Sequence, residues 1–260
     1  MICELLPWDS EFFGTRIGRV LVQNLDEEGA AQVDAWAKEH DVACLYFLAE
    51  MDDYKTFAQC TASGFIPVDV KADLKYSSKY ASHALGSCHN EVLNESETGS
   101  DSSSELFLRP ATEDDRPRLL EIAAKSFSKT RFFMDPHFDK QKCRDMYGIW
   151  VEKTFDDDTQ HVIVGEVDGV VVGFIICNLN GADNGKTPSG RIGLVGIDPA
   201  YHGHSYGKTL VHGAVQWFES QGVEELMVCT QGNNIIAQRV YQFCGFHTYT
   251  MQVWFHKWYK

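Results

Sequence analysis

The chain has 260 residues, 44% of them hydrophobic, and a formal net charge of −14. That supplies the core of one large domain or two modest ones, and the acidic balance argues against a nucleic-acid partner, which would need clustered Lys and Arg. An anionic ligand must therefore be held by local donors and not by the field of the whole molecule. No apolar run reaches the ~18 residues of a membrane span. Met1 to Ser10 has neither the basic region nor the apolar core of a signal sequence, so a cytoplasmic protein is expected. The eight cysteines are scattered without a C-x-x-C pair, which reads as buried thiols and predicts no metal site.

Leu6 to Arg19 places Trp8, Phe12 and Phe13 among Asp9, Ser10 and Glu11. It reads as a loop whose aromatics either plug a domain edge or wall a ligand site. Arg19–Val22 reads as a strand, Asp26–His40 as a helix, Ala43–Ala49 as a buried strand and Asp53–Ser63 as a second helix. Gly64 ends that helix, as glycine often does, and a strand follows to about Tyr76. The stretch to Ser104 is rich in Ser, Asn and Glu and cannot bury enough apolar area to order itself. It divides the chain into an N-terminal unit, 1–80, a linker, 81–104, and a second domain, 105–260.

The second domain opens with a short strand, Leu106–Leu108. Thr112 then caps a helix with acids in its first turn, which runs to Phe127. Lys129–Phe138 is irregular, with Arg131 among aromatics, and a helix from Gln141 to about Phe155 carries Tyr147 and Trp150. Strands His161–Val167 and Val170–Leu179 are joined by Asp168-Gly169, a hairpin signal. After the loop Gly181–Ser189 come strand Gly190–Ile197, a loop, a helix from Lys208, strand Glu225–Thr230, helix Asn233–Cys244 and strand Tyr249–His256. Phe57–Phe65 and Val240–Phe246 echo each other, both running from a helix through Gly-Phe into a strand.

The densest signal is Leu194–Leu210. An apolar strand stops at Asp198-Pro199, a loop of small and polar residues spans His202 to Gly207, and a helix follows. A strand, a glycine-bearing loop and a helix N-terminus together bind phosphate: free N–H groups point into the loop and the helix dipole favours an anion. Lys208 adds a positive charge. The G-x-G-x-x-G spacing is absent, and the Walker A loop fails because His202 stands where its first glycine belongs.

The six positions His202, Gly203, His204, Ser205, Tyr206 and Gly207 resemble the pyrophosphate loop of the GNAT superfamily of acyl-CoA N-acyltransferases, which runs Arg/Gln-x-x-Gly-x-Gly/Ala. Two positions depart: His202 replaces the basic or amide residue and Ser205 the middle glycine. The order of elements from Leu106 is also that of the GNAT fold. Asn234, Ala237 and Tyr241, followed by Gly245-Phe246, resemble the family's second signature. The segments Trp8–Gly14, Ser128–Pro136, Tyr147 with Trp150, and Trp254–Trp258 resemble the dTDP-fucosamine acetyltransferase branch.

The resemblance implies a mixed-sheet α/β fold in which a GNAT domain follows a smaller, partial GNAT-like one. It implies a cofactor, acetyl-CoA or another short acyl-CoA, and an acceptor amine on a nucleotide-linked amino-deoxy sugar. Another small amine or a peptide amine stays open, as does a homodimer. Val195, Gly196 and Ile197 would pair with the pantetheine arm, and the loop His202–Lys208 would hold the pyrophosphate. Asn234 would cap its helix, Ala237 would leave room for the arm, and Tyr241 would protonate the departing thiolate. Trp8, Asp9, Phe13, Arg131, Phe132, Asp135, Tyr147 and Trp150 would contact the sugar nucleotide, Arg131 through its diphosphate. No general base is singled out.

Overall fold

The computed structural model describes residues 2–80, 105–127, 130–181 and 187–259. The expected linker, 81–104, lies outside the described residues. In the N-terminal part, β1 (Cys3–Leu5), α1 (Pro7–Phe13), β2 (Ile17–Val20), α2 (Glu27–Glu39), β3 (Cys44–Glu50), α3 (Tyr54–Ala62) and β4 (Ile66–Tyr76) follow one another. From residue 105 onward come β5 (Phe107–Pro110), α4 (Arg116–Ser126), α5 (Arg131–Met134), α6 (Lys140–Thr154), β6 (Gln160–Val167), β7 (Val170–Asn180) and β8 (Ser189–Ile197). The chain closes with α7 (Tyr206–Ser220), β9 (Glu225–Gln231), α8 (Ile235–Phe243) and β10 (Phe246–Trp258).

Helix α1 stands where a loop was expected. Pro7 sits at its first position, where a missing N–H costs nothing, and Gly14 closes it at φ 72°. Its apolar residues are interleaved with acids and none is buried, so the periodicity that marks longer helices is faint. Arg131–Met134 is likewise a single helical turn within the expected irregular stretch.

Among the described residues all ten strands form one mixed sheet in the order β1-β2-β3-β10-β4-β9-β8-β7-β6-β5. The two ends of the chain are interleaved: β4 lies between β9 and β10, and β10 lies between β3 and β4, all antiparallel. The sequence echo has a structural counterpart. Units β3-α3-β4 and β9-α8-β10 both pass from helix to strand through a left-handed glycine, Gly64 at φ 83° and Gly245 at φ 95°. Each unit sends its last strand to pair with the other's, and then with the other's first.

Alternation along the strands gives each face its own core. On one face α2 and α3 cover Leu45, Phe47, Val253 and Phe255, while α7 and α8 cover Ala72, Leu74, Ile192 and Val228. On the other face α4 covers Val164 and Phe174, and α6 with α5 packs Met146, Tyr147 and Phe132 against Tyr46. Among the described residues no helix is long and apolar enough to cross a membrane.

Candidate active site

The site is built on a fork between β8 and β9. These parallel strands pair only over Ser189–Ile192 with Glu225–Val228. Beyond Val228, β9 stays paired with β4, Cys229 with Asp73 and Gln231 with Lys71, while β8 stays paired with β7, Val195 with Ile175 and Ile197 with Gly173. A bulge at the fork sets Gly193 and Leu194 against Ile176 alone, and bulges bend and re-aim the strand that carries them. A Cβ at Gly193 would come within 2.7 Å of the Asn178 side-chain amide, which would have to move. Gly196 is needed because a Cβ would meet the Phe174 ring at 2.7 Å. Val195 and Ile197 thus lie on a strand edge with no ladder partner towards β9. Such an edge can add a further extended segment.

At the end of β8, Asp198 accepts from Ala200 N at 3.0 Å and is held by Arg118 Nη2 at 2.6 Å. His202 Nε2 lies 3.1 Å from Ile197 O, tying the loop back to the strand. The loop turns through two left-handed residues, Gly203 at φ 94° and Ser205 at φ 62°. Ser205 is the position at which the family pattern has glycine, and its φ is the reason: a side chain there costs roughly 1–2 kcal/mol. Helix α7 begins at Tyr206, and Ser205 O receives its first backbone bond, from Lys208 N at 2.9 Å. A Cβ at Gly203 would meet nothing within 4 Å, and one at Gly207 would meet only Val240, at 3.9 Å. His204 stacks on Tyr206. The Lys208 ammonium lies over the Phe243 ring at 4.1 Å, against α8.

Asn234 caps α8, its side chain accepting from Ala237 N at 3.3 Å. Ala237 packs on the core between α7, α8 and the sheet. Tyr241 is buried in the same core with its ring 5.9 Å from that of Phe246. Burial first, then the neighbouring thiols of Cys229 and Cys244, push the Tyr241 hydroxyl well above its ordinary pKa. The hydroxyl therefore stays protonated at neutral pH.

The opposite face of the sheet carries an aromatic assembly. Trp8, Phe13, Phe132, Tyr147 and Trp150 join one cluster with Tyr46, Trp254, Trp258 and Leu194 of β8. Trp8 stacks on Phe12 at 5.1 Å, Phe13 on Phe132 at 5.5 Å, and Tyr147 on Phe127 at 4.6 Å. The Arg131 guanidinium lies over three rings, Tyr46 and Trp254 at 4.2 Å and Phe132 at 4.3 Å. Its Nη1 reaches His256 Nε2 at 3.2 Å. Asp135 is buried and accepts from His256 Nδ1 at 2.7 Å, Trp258 Nε1 at 2.8 Å, and both N and Nδ1 of His137. Burial opposes its ionisation, but these hydrogen bonds prevail and hold its carboxyl well below the usual range. Burial raises Asp9, with Arg131 and Tyr46 as neighbours opposing the rise.

The residues expected at the acceptor therefore gather on one face, and Tyr241 lies in the core of the other. The fork between β8 and β9 joins the two. Tyr46 and His256 were not singled out in the sequence. The alternation Trp254-x-His256-x-Trp258, polar and aromatic residues on one side of a strand, is the signal that marks His256. Among the described residues no cluster of three or more His, Cys, Asp or Glu could hold a metal ion.

Residues 117–246 match the Acetyltransferase (GNAT) family. The chain is 25% identical to dTDP-fucosamine acetyltransferase of Escherichia coli O6:H1, over 98% of this chain and 97% of that protein. It is 24% identical to the spore coat polysaccharide biosynthesis protein SpsD of Bacillus subtilis, over 58% of this chain but only 50% of SpsD, so it spans about half of that relative's length. Among solved structures, a GCN5-related N-acetyltransferase from Sphaerobacter thermophilus superimposes with a TM-score of 0.64 at 13% identity, covering 98% of this chain and 76% of that one. With the forked strands and the loop before α7 described above, these matches establish that the chain belongs to the Acetyltransferase (GNAT) family.

Proposed function

We propose that the enzyme transfers an acetyl group from acetyl-CoA to the amino group of a dTDP-linked amino-deoxy sugar by direct attack through a tetrahedral intermediate. The pantetheine arm lies along the free edge Val195–Ile197, and the pyrophosphate lies on the N–H groups of the Gly203–Lys208 loop. A main-chain N–H of that edge stabilises the oxyanion, a contribution worth about 2.7–4 kcal/mol where one such donor has been removed from other enzymes. Tyr241 protonates the departing thiolate, burial keeping its hydroxyl in the protonated form.

The observation that carries the acceptor assignment is the setting of Arg131. A cation held over three aromatic rings, with further aromatics around it, offers a fork for diphosphate and flat surfaces for a base and a sugar. Trp8, Phe13, Phe132, Tyr147 and Trp150 supply those surfaces, Asp9 supplies an acceptor for a hydroxyl or the amine, and Asp135 holds His256 against Arg131. The near-full-length similarity to a dTDP-fucosamine acetyltransferase supports the same assignment.

Mass spectrometry of the purified protein with acetyl-CoA and a panel of dTDP-amino sugars, peptide amines and small amines tests it. The expected result is a singly acetylated sugar nucleotide. Acetylation of the peptide amines alone would overturn the assignment.

A further inference from the structure

The face of the sheet that carries the aromatic assembly continues past it as a polar row. Ala72, Leu74, Ile192 and Val228 face α7 and α8, and Val253 faces α2 and α3. By alternation Lys71, Asp73, Arg191, Thr250 and Gln252 therefore point to the opposite side, where the residues expected at the acceptor gather. Their contacts join them. The Lys71 ammonium pairs with Oδ2 of Asp73 and donates to Gln252 Oε1 at 3.3 Å. Thr250 Oγ1 donates to the same Asp73 oxygen at 3.4 Å. Arg191 reaches across β9 from β8, its Nη1 lying 3.7 Å from Oδ1 of Asp73.

Oδ1 is left over. Asp73 is 5% exposed, and its Oδ1 is the one buried carboxylate oxygen among the described residues that has no hydrogen-bond partner. The Arg191 nitrogen stands beyond hydrogen-bonding reach. A buried acceptor normally finds a donor, and one left without costs free energy. The Arg191 side chain is 42% exposed and Gly193, two residues on, is exposed as well, so the gap between Asp73 and Arg191 opens to solvent. A group that fills it must donate to the carboxylate oxygen and accept from the guanidinium, and a hydroxyl does both. An ammonium does not suit it, because the charges of Lys71 and Arg191 already exceed that of Asp73.

The register places this gap at the root of the fork. Asp73 pairs with Cys229, one residue past the last β8–β9 pair, Ile192 with Val228. Val195 and Gln231 stand three residues beyond that pair, and Gln231 pairs with Lys71. The free edge of β8 thus begins one step along from the gap. In the same direction β10 carries Thr250, Gln252 and Trp254 in turn towards the Arg131 guanidinium, 4.2 Å from the Trp254 ring. Thr250 to Trp254 is four residues, roughly 13 Å at the rise of a strand. That is the reach of a phosphosugar whose phosphate is held at one end and whose far hydroxyl is held at the other.

We propose that the gap between Asp73 and Arg191 is the hydroxyl subsite of the acceptor, an inference that rests on the sugar-nucleotide reading above. The sugar hydroxyl beside the reacting amine donates to Asp73 Oδ1 and accepts from Arg191. Lys71 and Thr250 hold Oδ2, which fixes the direction of Oδ1. With the diphosphate at Arg131 and this hydroxyl in the gap, the ring is held at two points and cannot turn, and the amine is presented to the free edge at Val195. The subsite selects amino sugars that carry a hydroxyl next to the amine. A deoxy analogue is disfavoured because it leaves the buried oxygen unpaired.

The test is kcat/KM for two dTDP-linked amino sugars that differ only in the hydroxyl on the carbon next to the amine, in wild type, Asp73→Ala, Asp73→Asn and Arg191→Met. Wild type should favour the hydroxylated sugar roughly 10–100-fold, the size of a hydrogen bond to a charged group. Asp73→Ala should abolish that preference, and Asp73→Asn, which keeps an acceptor oxygen in place, should retain part of it. Arg191→Met alters a half-exposed side chain, should fold as wild type and should also lower the preference, so the comparison stays decisive if Asp73→Ala misfolds. Acetyl-CoA affinity by calorimetry should be unchanged throughout. A structural role alone would lower kcat/KM for both sugars equally, so a preference that survives in both Asp73→Ala and Arg191→Met overturns the subsite. A wild type that acetylates the two sugars alike overturns the subsite and leaves the acceptor assignment standing. A wild type that acetylates neither sugar, only peptide amines, overturns both.

Discussion

Arg131 donates through Nη1 to Nε2 of His256 at 3.2 Å. Because a guanidinium has only donors, Nε2 must accept, so the imidazole proton sits on Nδ1 and is given to Asp135 at 2.7 Å. The chain Asp135–His256–Arg131 fixes both the tautomer of the histidine and the plane of the guanidinium above Tyr46 and Trp254.

This arrangement makes His256 a neutral, positioning residue. Burial pushes its pKa down to about 4; the Asp135 hydrogen bond opposes that shift and the Arg131 charge adds to it. The unfolded histidine titrates near ~6.5, so between these values the unfolded chain binds the extra proton. The stability His256 contributes is complete above 6.5 and is lost as pH falls towards 4. His256→Asn removes this titration while keeping a donor for Asp135. Its unfolding free energy should be lower than wild type by about 1–3 kcal/mol at neutral pH, with the gap narrowing on acidification, as measured by denaturant titration at several pH values. The variant should also raise KM for the acceptor more than it lowers kcat, with acetyl-CoA affinity unchanged.

The phosphate loop offers two substitutions of opposite effect. Gly207 lies in the first turn of α7 with room around it, so Gly207→Glu should fold and place a carboxylate beside the pyrophosphate. Calorimetry should show acetyl-CoA affinity reduced tenfold or more, about 1.4 kcal/mol. Ser205→Gly relieves a left-handed φ of 62°. It should raise stability by roughly 0.5–1 kcal/mol after the added chain entropy of glycine without weakening acetyl-CoA. A Gly207→Glu variant with wild-type affinity would remove the loop from the site.

Tyr241→Phe keeps the ring packed on Phe246 and removes only the hydroxyl. Loss of a general acid should reduce kcat by about 10²–10⁴-fold, with acetyl-CoA binding and melting temperature near wild type. Near-normal turnover would give the proton to water and leave Tyr241 as a core residue.

Much of this was legible in the sequence where the signal is local. The turn into α7, the cap at Asn234 and the two Gly-Phe helix ends depend on residues within a few positions of one another. The interleaving of β4 and β10 was not legible, because alternation reports which face a residue takes but not which strand lies beside it. His256 was missed for that reason: it acquires its setting only when the two ends of the chain meet under α5. Ser205 appeared in the sequence as a departure from the family pattern. Its backbone angle explains why glycine is the usual residue there.

The most direct measurement of the central claim is kcat/KM for acetyl transfer to a dTDP-linked amino sugar, set beside the same amino sugar without its nucleotide, in wild type and Arg131→Met. The account predicts that wild type prefers the nucleotide-linked sugar by at least a hundredfold and that the preference collapses in the variant. Equal kcat/KM for the two sugars in wild type, or a preference that survives loss of Arg131, would contradict it.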